Sequence, residues 1–154
     1  MIVFLVITLV FFIYLIALAW IDLRRGILPD LLTLSLLWLG LLSNAALHWV
    51  SLLDAVWGAV LGYLILWLVY WAFRWARHKE GLGFGDLKFL AALGAWFGWQ
   101  ALPGLLCVAS VTTLLVLLGL KIFKKYPSHP RIPFGPGLAF AGGCFFVAQA
   151  LTFI

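Results

Sequence analysis

The acidic residues are the side chains of this sequence best suited to chemistry, because they are few and stand beside long apolar runs. There are five of them: Asp22, Asp30, Asp54, Glu80 and Asp86. An ionisable group within or beside a membrane segment is costly, and its presence by default suggests a function. Two carboxyl groups that meet can share one proton, so that one acts as a base towards water and the other as an acid. The first question is therefore which of the five acids come together.

The elements that must position these acids are apolar helices. Five stretches contain no Asp, Glu, Lys or Arg, and a spanning helix takes about 20 apolar residues; the stretches are residues 1–21, 31–53, 55–73, 89–120 and 132–154. The fourth stretch is long enough for two spans, and we divide it at residues 100–103, which leaves a short span near 87–99. Only 10% of the residues are charged, against about 25% in soluble domains. We predict an all-α integral membrane protein with about six transmembrane helices, forming one domain over residues 1–154.

Neither the first span nor the cysteines change this interpretation. No basic segment precedes the first run, which is longer than the roughly 7–15 apolar residues of a signal-peptide core, so we expect a mature helix. Cys107 and Cys144 lie in apolar spans and form no CxxC pair. We predict that they are small core residues rather than disulfide partners or metal ligands.

The basic residues predict the orientation of the helices. All ten lie in or beside the connections after spans one, three and five, and none lies in the other two connections: Arg24, Arg25, Arg74, Arg77, Lys79, Lys88, Lys121, Lys124, Lys125 and Arg131. By the positive-inside rule this face is cytoplasmic and both termini are periplasmic. The net charge of +5 is then a topology signal beside anionic lipid. No basic soluble domain exists to bind nucleic acid.

This topology separates the acids. Asp54 falls on the outer side, where we expect a solvated loop or N-cap residue. Asp22 ends the first span and Asp86 begins the fourth, so both lie at similar depth at the cytoplasmic edge of the membrane. Two helices could bring them together there around a water molecule, which is the geometry of an aspartyl hydrolase.

Gly83 and Gly85 precede Asp86 in the sequence Gly-Phe-Gly-Asp. In a functional interpretation, the missing Cβ atoms allow a substrate backbone to approach, and glycine adopts backbone angles closed to other residues. In a structural interpretation, Asp86 caps the helix and the glycines form a turn. The spacing alone leaves both open.

Three segments resemble, in order, the signatures of the type IV prepilin peptidases, which are GxGD-type aspartyl proteases of the bacterial inner membrane. They are WIDLRRGILPD (20–30), KEGLGFGDLKFLAALGAWFGWQALPG (79–104) and RIPFGPGLAFAGG (131–143). The resemblance extends from about residue 17 to the C-terminus. It implies that Asp22 and Asp86 are the catalytic pair, that Gly83 and Gly85 are the GxGD glycines, and that no metal or cofactor takes part. Further residues match motif positions with supporting or substrate-binding roles: Pro29, Asp30, Glu80 and Lys88.

The implied reaction is removal of the basic leader from type IV prepilins or pseudopilins, in a type IV pilus or type II secretion system. Cleavage follows a glycine and precedes a residue that is often Phe. The implied partners are this substrate and the lipid bilayer, and the sequence carries no signal for an oligomeric state. Asp30 and Glu80 are hypothesised to bind the basic leader; alternatively, they form ordinary ion pairs with Arg24, Arg25 or Lys79.

One departure from the family pattern concerns a second activity. Bifunctional members carry a cytoplasmic insert with two CxxC pairs after the first helix, and they also methylate the new N-terminus. Residues 22–30 leave no room for such an insert. We therefore predict a peptidase without methyltransferase activity.

Other classes of protein remain as alternatives. A small proton-coupled transporter could use Asp22 and Asp86 as relay sites, although transporter sites usually lie near the bilayer midplane. A non-catalytic assembly partner would not need the pair of acids. His48, His78 and His129 are spread over both predicted faces, which argues against a metal site. Residues 131–136 either border the site or stiffen the start of the last span.

Overall fold

The computed structural model describes residues 2–77, 83–122 and 133–152, and within them the fold is entirely helical, with no β-strand. Six α-helices follow one another along the chain, with a 3₁₀ turn, Trp99–Ala101, between the fourth and fifth: α1 (Ile2–Arg25), α2 (Asp30–Leu47), α3 (Leu52–Arg77), α4 (Phe84–Phe97), α5 (Leu102–Ile122) and α6 (Gly135–Thr152). The predicted all-α class and the division of the long apolar stretch into two helices are confirmed. The break begins at Gly98, whose φ of +79° ends α4.

The helices differ in their capacity to cross a bilayer. By length and composition α1, α2, α3 and the segment Trp99–Gly119 are suited to span, and α6 is a shorter apolar helix. With 14 residues, α4 is roughly 21 Å long, against a hydrocarbon layer of about 30 Å. Every residue of α4 from Asp86 to Phe97 except Lys88 is buried. The short fourth helix therefore lies among its neighbours in a multi-pass helical membrane protein.

Glycines on α2, α3 and α4 allow this close packing. A Cβ on Gly58 would overlap the backbone carbonyl of Gly94, and a Cβ on Gly94 would overlap that of Gly58. On α2, a Cβ on Gly40 would lie 2.7 Å from Cδ1 of Trp96. Small residues at such contacts allow helix backbones to approach within a membrane, where dispersion and hydrogen bonds replace the hydrophobic effect.

Polar side chains stabilise the end of the bundle where α4 terminates. The buried Asn44 donates from Nδ2 to the backbone oxygens of Ala95 (2.8 Å) and Trp96 (3.1 Å), which satisfies carbonyls that a helix end leaves free. The Asp54 carboxylate accepts hydrogen bonds from Ser51 (2.8 Å) and from the Trp99 indole (2.9 Å). The Ser51 hydroxyl accepts from the Asp54 backbone N–H, so Ser51 is the cap of α3 and Asp54 the third residue of the helix. The prediction of a loop or N-cap at Asp54 is wrong in this detail.

Cys107 and Cys144 are both exposed on the helix surfaces and are not disulfide-bonded. The prediction that they are core residues is therefore wrong. In an apolar span, sequence alone does not distinguish the lipid-facing side of a helix from its packed side, because both are apolar.

Candidate active site

The functional candidates lie where the C-terminus of α1 meets the N-termini of α2, α4 and α6. Three contacts define this end of the bundle: Asp22 with Gly135, Asp30 with Lys88, and Leu28 with Gly85. The Asn44 and Asp54 contacts lie at the other end of the same helices. The described helix ends that flank alternate connections therefore lie on the same side, as the predicted topology requires.

Asp22 is placed by the last turn of α1. Gly26, with φ +62°, ends this helix, and its backbone N–H donates to the carbonyl of Asp22 at 2.8 Å. The Asp22 side chain is only 6% exposed. Its Oδ2 accepts a 2.9 Å hydrogen bond from the backbone N–H of Gly135, the first residue of α6. Free N–H groups at a helix N-terminus favour a negative charge, so this contact stabilises the carboxylate.

Gly135 allows this contact because it has no side chain. A Cβ there would lie 2.6 Å from Oδ2 of Asp22 and 2.9 Å from its Cγ. The close approach therefore excludes every other residue type unless α6 or Asp22 shifts. Sequence analysis allowed residues 131–136 either to border the site or to stiffen the last span, and it missed the role of Gly135. The available signal was the Gly-Pro-Gly sequence at the start of the last apolar run.

Asp86 is placed by the first turn of α4. The N-cap of this helix is Gly83, and the Asp86 backbone N–H donates to the Gly83 carbonyl at 3.1 Å. The interpretation of Asp86 as the helix cap is therefore wrong, because it is the third helical residue. Its side chain is 7% exposed, and its Oδ1 has no hydrogen-bond partner among residues 2–77, 83–122 and 133–152. Burying a polar atom without a hydrogen-bond partner has a desolvation cost. Residues that are kept despite this cost often have a function.

The structure places Asp22 and Asp86 at the same end of the bundle. The two carboxyl groups lie near enough for the charge on Asp22 to affect the ionisation of Asp86. Like charges in a poorly hydrated place repel each other, and sharing one proton between two acids relieves that repulsion. The arrangement can therefore supply one carboxylate as a base and one carboxylic acid as a proton donor.

The two glycines before Asp86 have different surroundings. A Cβ on Gly85 would lie 2.6 Å from the Cβ of Leu28, so this glycine lets α4 pack against the connection between α1 and α2. A Cβ on Gly83 would lie 3.4 Å from Oδ2 of Asp86 and 4.0 Å from the backbone N of Gly85, both ordinary contacts. Gly83 has extended angles (φ −81°, ψ 142°), and Gly85 is helical without a positive φ. The prediction that the two glycines adopt angles closed to other residues is wrong.

The supporting candidates divide into three groups. Lys88 and Asp30 form an ion pair, with Nζ 2.6 Å from Oδ1, so Asp30 pairs with neither of the arginines considered from sequence. Pro29 is the N-cap of α2, with φ −66°, and its carbonyl accepts from the N–H groups of Leu32 and Thr33. Glu80 lies outside the described residues, as do Lys79, His78, His129 and Arg131. Within the described ranges, no three His, Cys, Asp or Glu side chains are grouped as a metal site.

The fold and the site together define a class: a multi-pass helical membrane protein with two interacting acids at one end of the bundle. Comparison with known proteins then gives the family. Residues 9–118 match the type IV leader peptidase family, and the chain belongs to that family. No solved structure matches the chain.

Curated relatives agree with this assignment. The chain is 53% identical over 129 residues to a prepilin leader peptidase/N-methyltransferase of Pectobacterium carotovorum subsp. carotovorum, covering 84% of this chain and 46% of that protein. It is 54% identical over 128 residues to the protein of that name from Aeromonas hydrophila, covering 83% and 44%. It is 45% identical over 122 residues to the leader peptidase HopD of Escherichia coli, covering 79% of each chain. The chain thus spans under half the length of the first two relatives.

Proposed function

We propose that this protein is a membrane-embedded aspartyl endopeptidase that removes the basic leader from type IV prepilins or pseudopilins. The observation that carries the proposal is that Asp22 and Asp86 are both buried at one end of the bundle, within range of each other's charge. The names of the relatives support the choice of substrate, since all three are named leader peptidases and two of them prepilin leader peptidases. The distribution of the basic residues supports a position of this end at the cytoplasmic face of the inner membrane, with both termini outside.

The roles of the two acids follow from their contacts. Asp22 is the base, because the Gly135 N–H stabilises its carboxylate. Asp86 carries the shared proton, because no described residue donates a hydrogen bond to its Oδ1. Asp22 takes a proton from water as the oxygen attacks the scissile carbonyl carbon, and Asp86 gives its proton to the carbonyl oxygen.

The second step breaks the C–N bond. Asp22 returns its proton to the leaving nitrogen, and the carbonyl re-forms as one hydroxyl of the tetrahedral intermediate gives its proton to Asp86. The products are the leader with a new carboxyl group and the mature protein with a new amino group, and the acid pair returns to its starting state. Each acid thus serves once as acid and once as base.

We also infer that the reaction proceeds without methylation of the new N-terminus. The connection between α1 and α2 consists of only four residues, 26–29. It holds neither an insert nor a cysteine pair. The two longer relatives carry both activities in their names, whereas HopD is named as a leader peptidase alone.

A proton-coupled transporter is the alternative from another class. It is disfavoured because Asp22 and Asp86 lie in the terminal turns of their helices, whereas transporter sites usually lie near the membrane midplane. A transporter would also have no need of the Gly135 contact, which fixes the position of Asp22.

Cleavage of a prepilin by the purified protein tests the proposal. Asp22→Asn and Asp86→Asn should each abolish cleavage while the protein stays folded, as judged by gel filtration and helical circular dichroism. Asp54→Asn is the matched control, because Asp54 lies at the opposite end of the bundle, and it should retain cleavage. Substantial turnover by either site variant would remove that residue from the pair.

A further inference from the structure

An apolar groove runs along the outside of the bundle between α1 and α6. Its volume is about 700 Å³, and its lining is almost wholly apolar. On α1 the lining includes Phe12 and Ala19, and on α6 it extends from Pro136 through Cys144 to Leu151. The mechanism above does not use this groove.

One end of the groove lies near Asp22. Ala19 lies three residues before Asp22 on α1, so the two share a helix face. Pro136 directly follows Gly135, whose N–H binds Asp22. A molecule lying in the groove therefore has one end near Asp22.

The length and shape of the groove match a helix. Lining residues recur every three or four positions on α6, from Pro136 to Leu151, a distance of roughly 22 Å along a helix. This is most of the hydrocarbon thickness of about 30 Å. Ala19, Ala139 and Gly143 also line the groove, and such small residues allow another helix to approach closely.

We propose that the groove binds the apolar helix of the substrate, with the scissile bond beside Asp22 and Asp86. This inference rests on the proposed function, and it adds the path that the substrate follows through the membrane. A lipid chain can cover any apolar face and needs no connection with the acids. A substrate whose helix begins just after the cleavage point must start at the acids and run away from them, as the groove does.

The two native cysteines provide the test, since Cys144 lines the groove and Cys107 is exposed on α5 outside it. The probe is a synthetic peptide with a basic leader ending in glycine, then Phe and about 20 apolar residues. A series of probes carries a single cysteine at successive positions of the apolar part. The enzyme is the Asp86→Asn variant with Cys107→Ala, so that the probe stays intact and Cys144 is the sole cysteine.

Disulfide formation with Cys144 should peak when the probe cysteine lies about eight residues after the cleavage point. The reason is that Cys144 lies eight residues after Pro136, and both helices rise about 1.5 Å per residue. The matched enzyme with Cys144→Ala and Cys107 retained should show no such peak. An even yield at all positions, a peak with Cys107, or efficient Cys144–Cys144 coupling between two copies would overturn the groove assignment. Cleavage of the same probes by the wild-type enzyme tests the proposed function separately, and its absence would overturn both.

Filling the groove gives a second, kinetic test. Cys144→Trp should lower kcat/KM for the long probe at least about tenfold more than for a short probe that ends four residues after the cleavage point. Cys107→Trp should change that ratio less than about twofold. If Cys144→Trp leaves the ratio of the two kcat/KM values unchanged, whether both rates fall equally or neither falls, the inference is overturned.

Discussion

Lys88 on α4 places its Nζ 2.6 Å from Oδ1 of Asp30 on α2, and so links the N-terminal ends of two helices near Asp86. Lys88 lies two residues after Asp86, and Asp30 directly follows the Pro29 cap of α2. Asp30 is 63% exposed and Lys88 29% exposed, so water screens the interaction. A pair of this kind contributes about 1 kcal/mol or less to stability. Its main effect is on the position of the first turn of α4.

We predict that Lys88→Met and Asp30→Asn each lower kcat several-fold, and that the double variant is no worse than either single one. The reason is that both remove the same contact, so their effects on the position of Asp86 do not add. Steady-state cleavage by the three variants measures this. If Asp30 instead binds the basic leader, Asp30→Asn alone will raise KM, and a leader with reversed charges will lose affinity for the wild type but not for that variant.

The sequence was sufficient to predict the helical class, the helix order and the position of Asp22 and Asp86 at one end of the bundle, because long uncharged runs and isolated carboxylates are strong signals in a membrane protein. It was not sufficient for the contacts of Gly85 and Gly135, which depend on how α4 and α6 pack against residues far away in sequence. The same limit applies to the pairing of Asp30 with Lys88, which are 58 positions apart. Long-range packing of this kind leaves no periodic pattern in a chain that is apolar on nearly every face.

The two GxGD glycines should respond differently to alanine. We predict that Gly85→Ala lowers both stability and cleavage, because its Cβ would lie 2.6 Å from the Cβ of Leu28, and overpacking costs about 1–3 kcal/mol. Gly83→Ala should lower the free energy of unfolding by less than about 1 kcal/mol, the usual loss at an N-cap. It should nevertheless lower kcat/KM at least about tenfold, because we propose that the substrate backbone approaches Gly83. Unfolding in detergent and cleavage rates separate the two effects. Full activity of Gly83→Ala would contradict its proposed role.

The pH dependence of cleavage should be bell-shaped. The reaction needs one ionised and one protonated acid in the pair, so both protonation of Asp22 and ionisation of Asp86 stop it. Below the optimum, log kcat/KM should rise with a slope of about +1, and above it fall with a slope of about −1. The Asp54→Asn variant should give the same profile, since Asp54 lies at the other end of the bundle. A rate that stays constant to high pH would rule out an acidic proton donor.

Gly135 fixes the position of Asp22 through its backbone N–H. Gly135→Ala should lower kcat by about 10–100-fold. Its Cβ would lie 2.6 Å from Oδ2 of Asp22 and would displace either the carboxylate or the N–H that stabilises it. Misplacement of a catalytic group by about 1 Å can cost 100-fold in rate. The matched control is Gly119→Ala on α5, where a Cβ would meet nothing within 4 Å. That change should leave cleavage intact and stabilise α5 slightly, since alanine is favoured over glycine within a helix by up to about 1 kcal/mol.

The pH profile of cleavage by Gly135→Ala distinguishes a loss of the contact that positions Asp22 from general damage to the fold. Loss of the N–H donor makes the Asp22 carboxylate harder to form, so the acidic limb of the Gly135→Ala profile should move to higher pH. An acidic limb at the wild-type pH, with only a lower maximum, would show that Gly135 serves the packing of α6 and not the charge on Asp22.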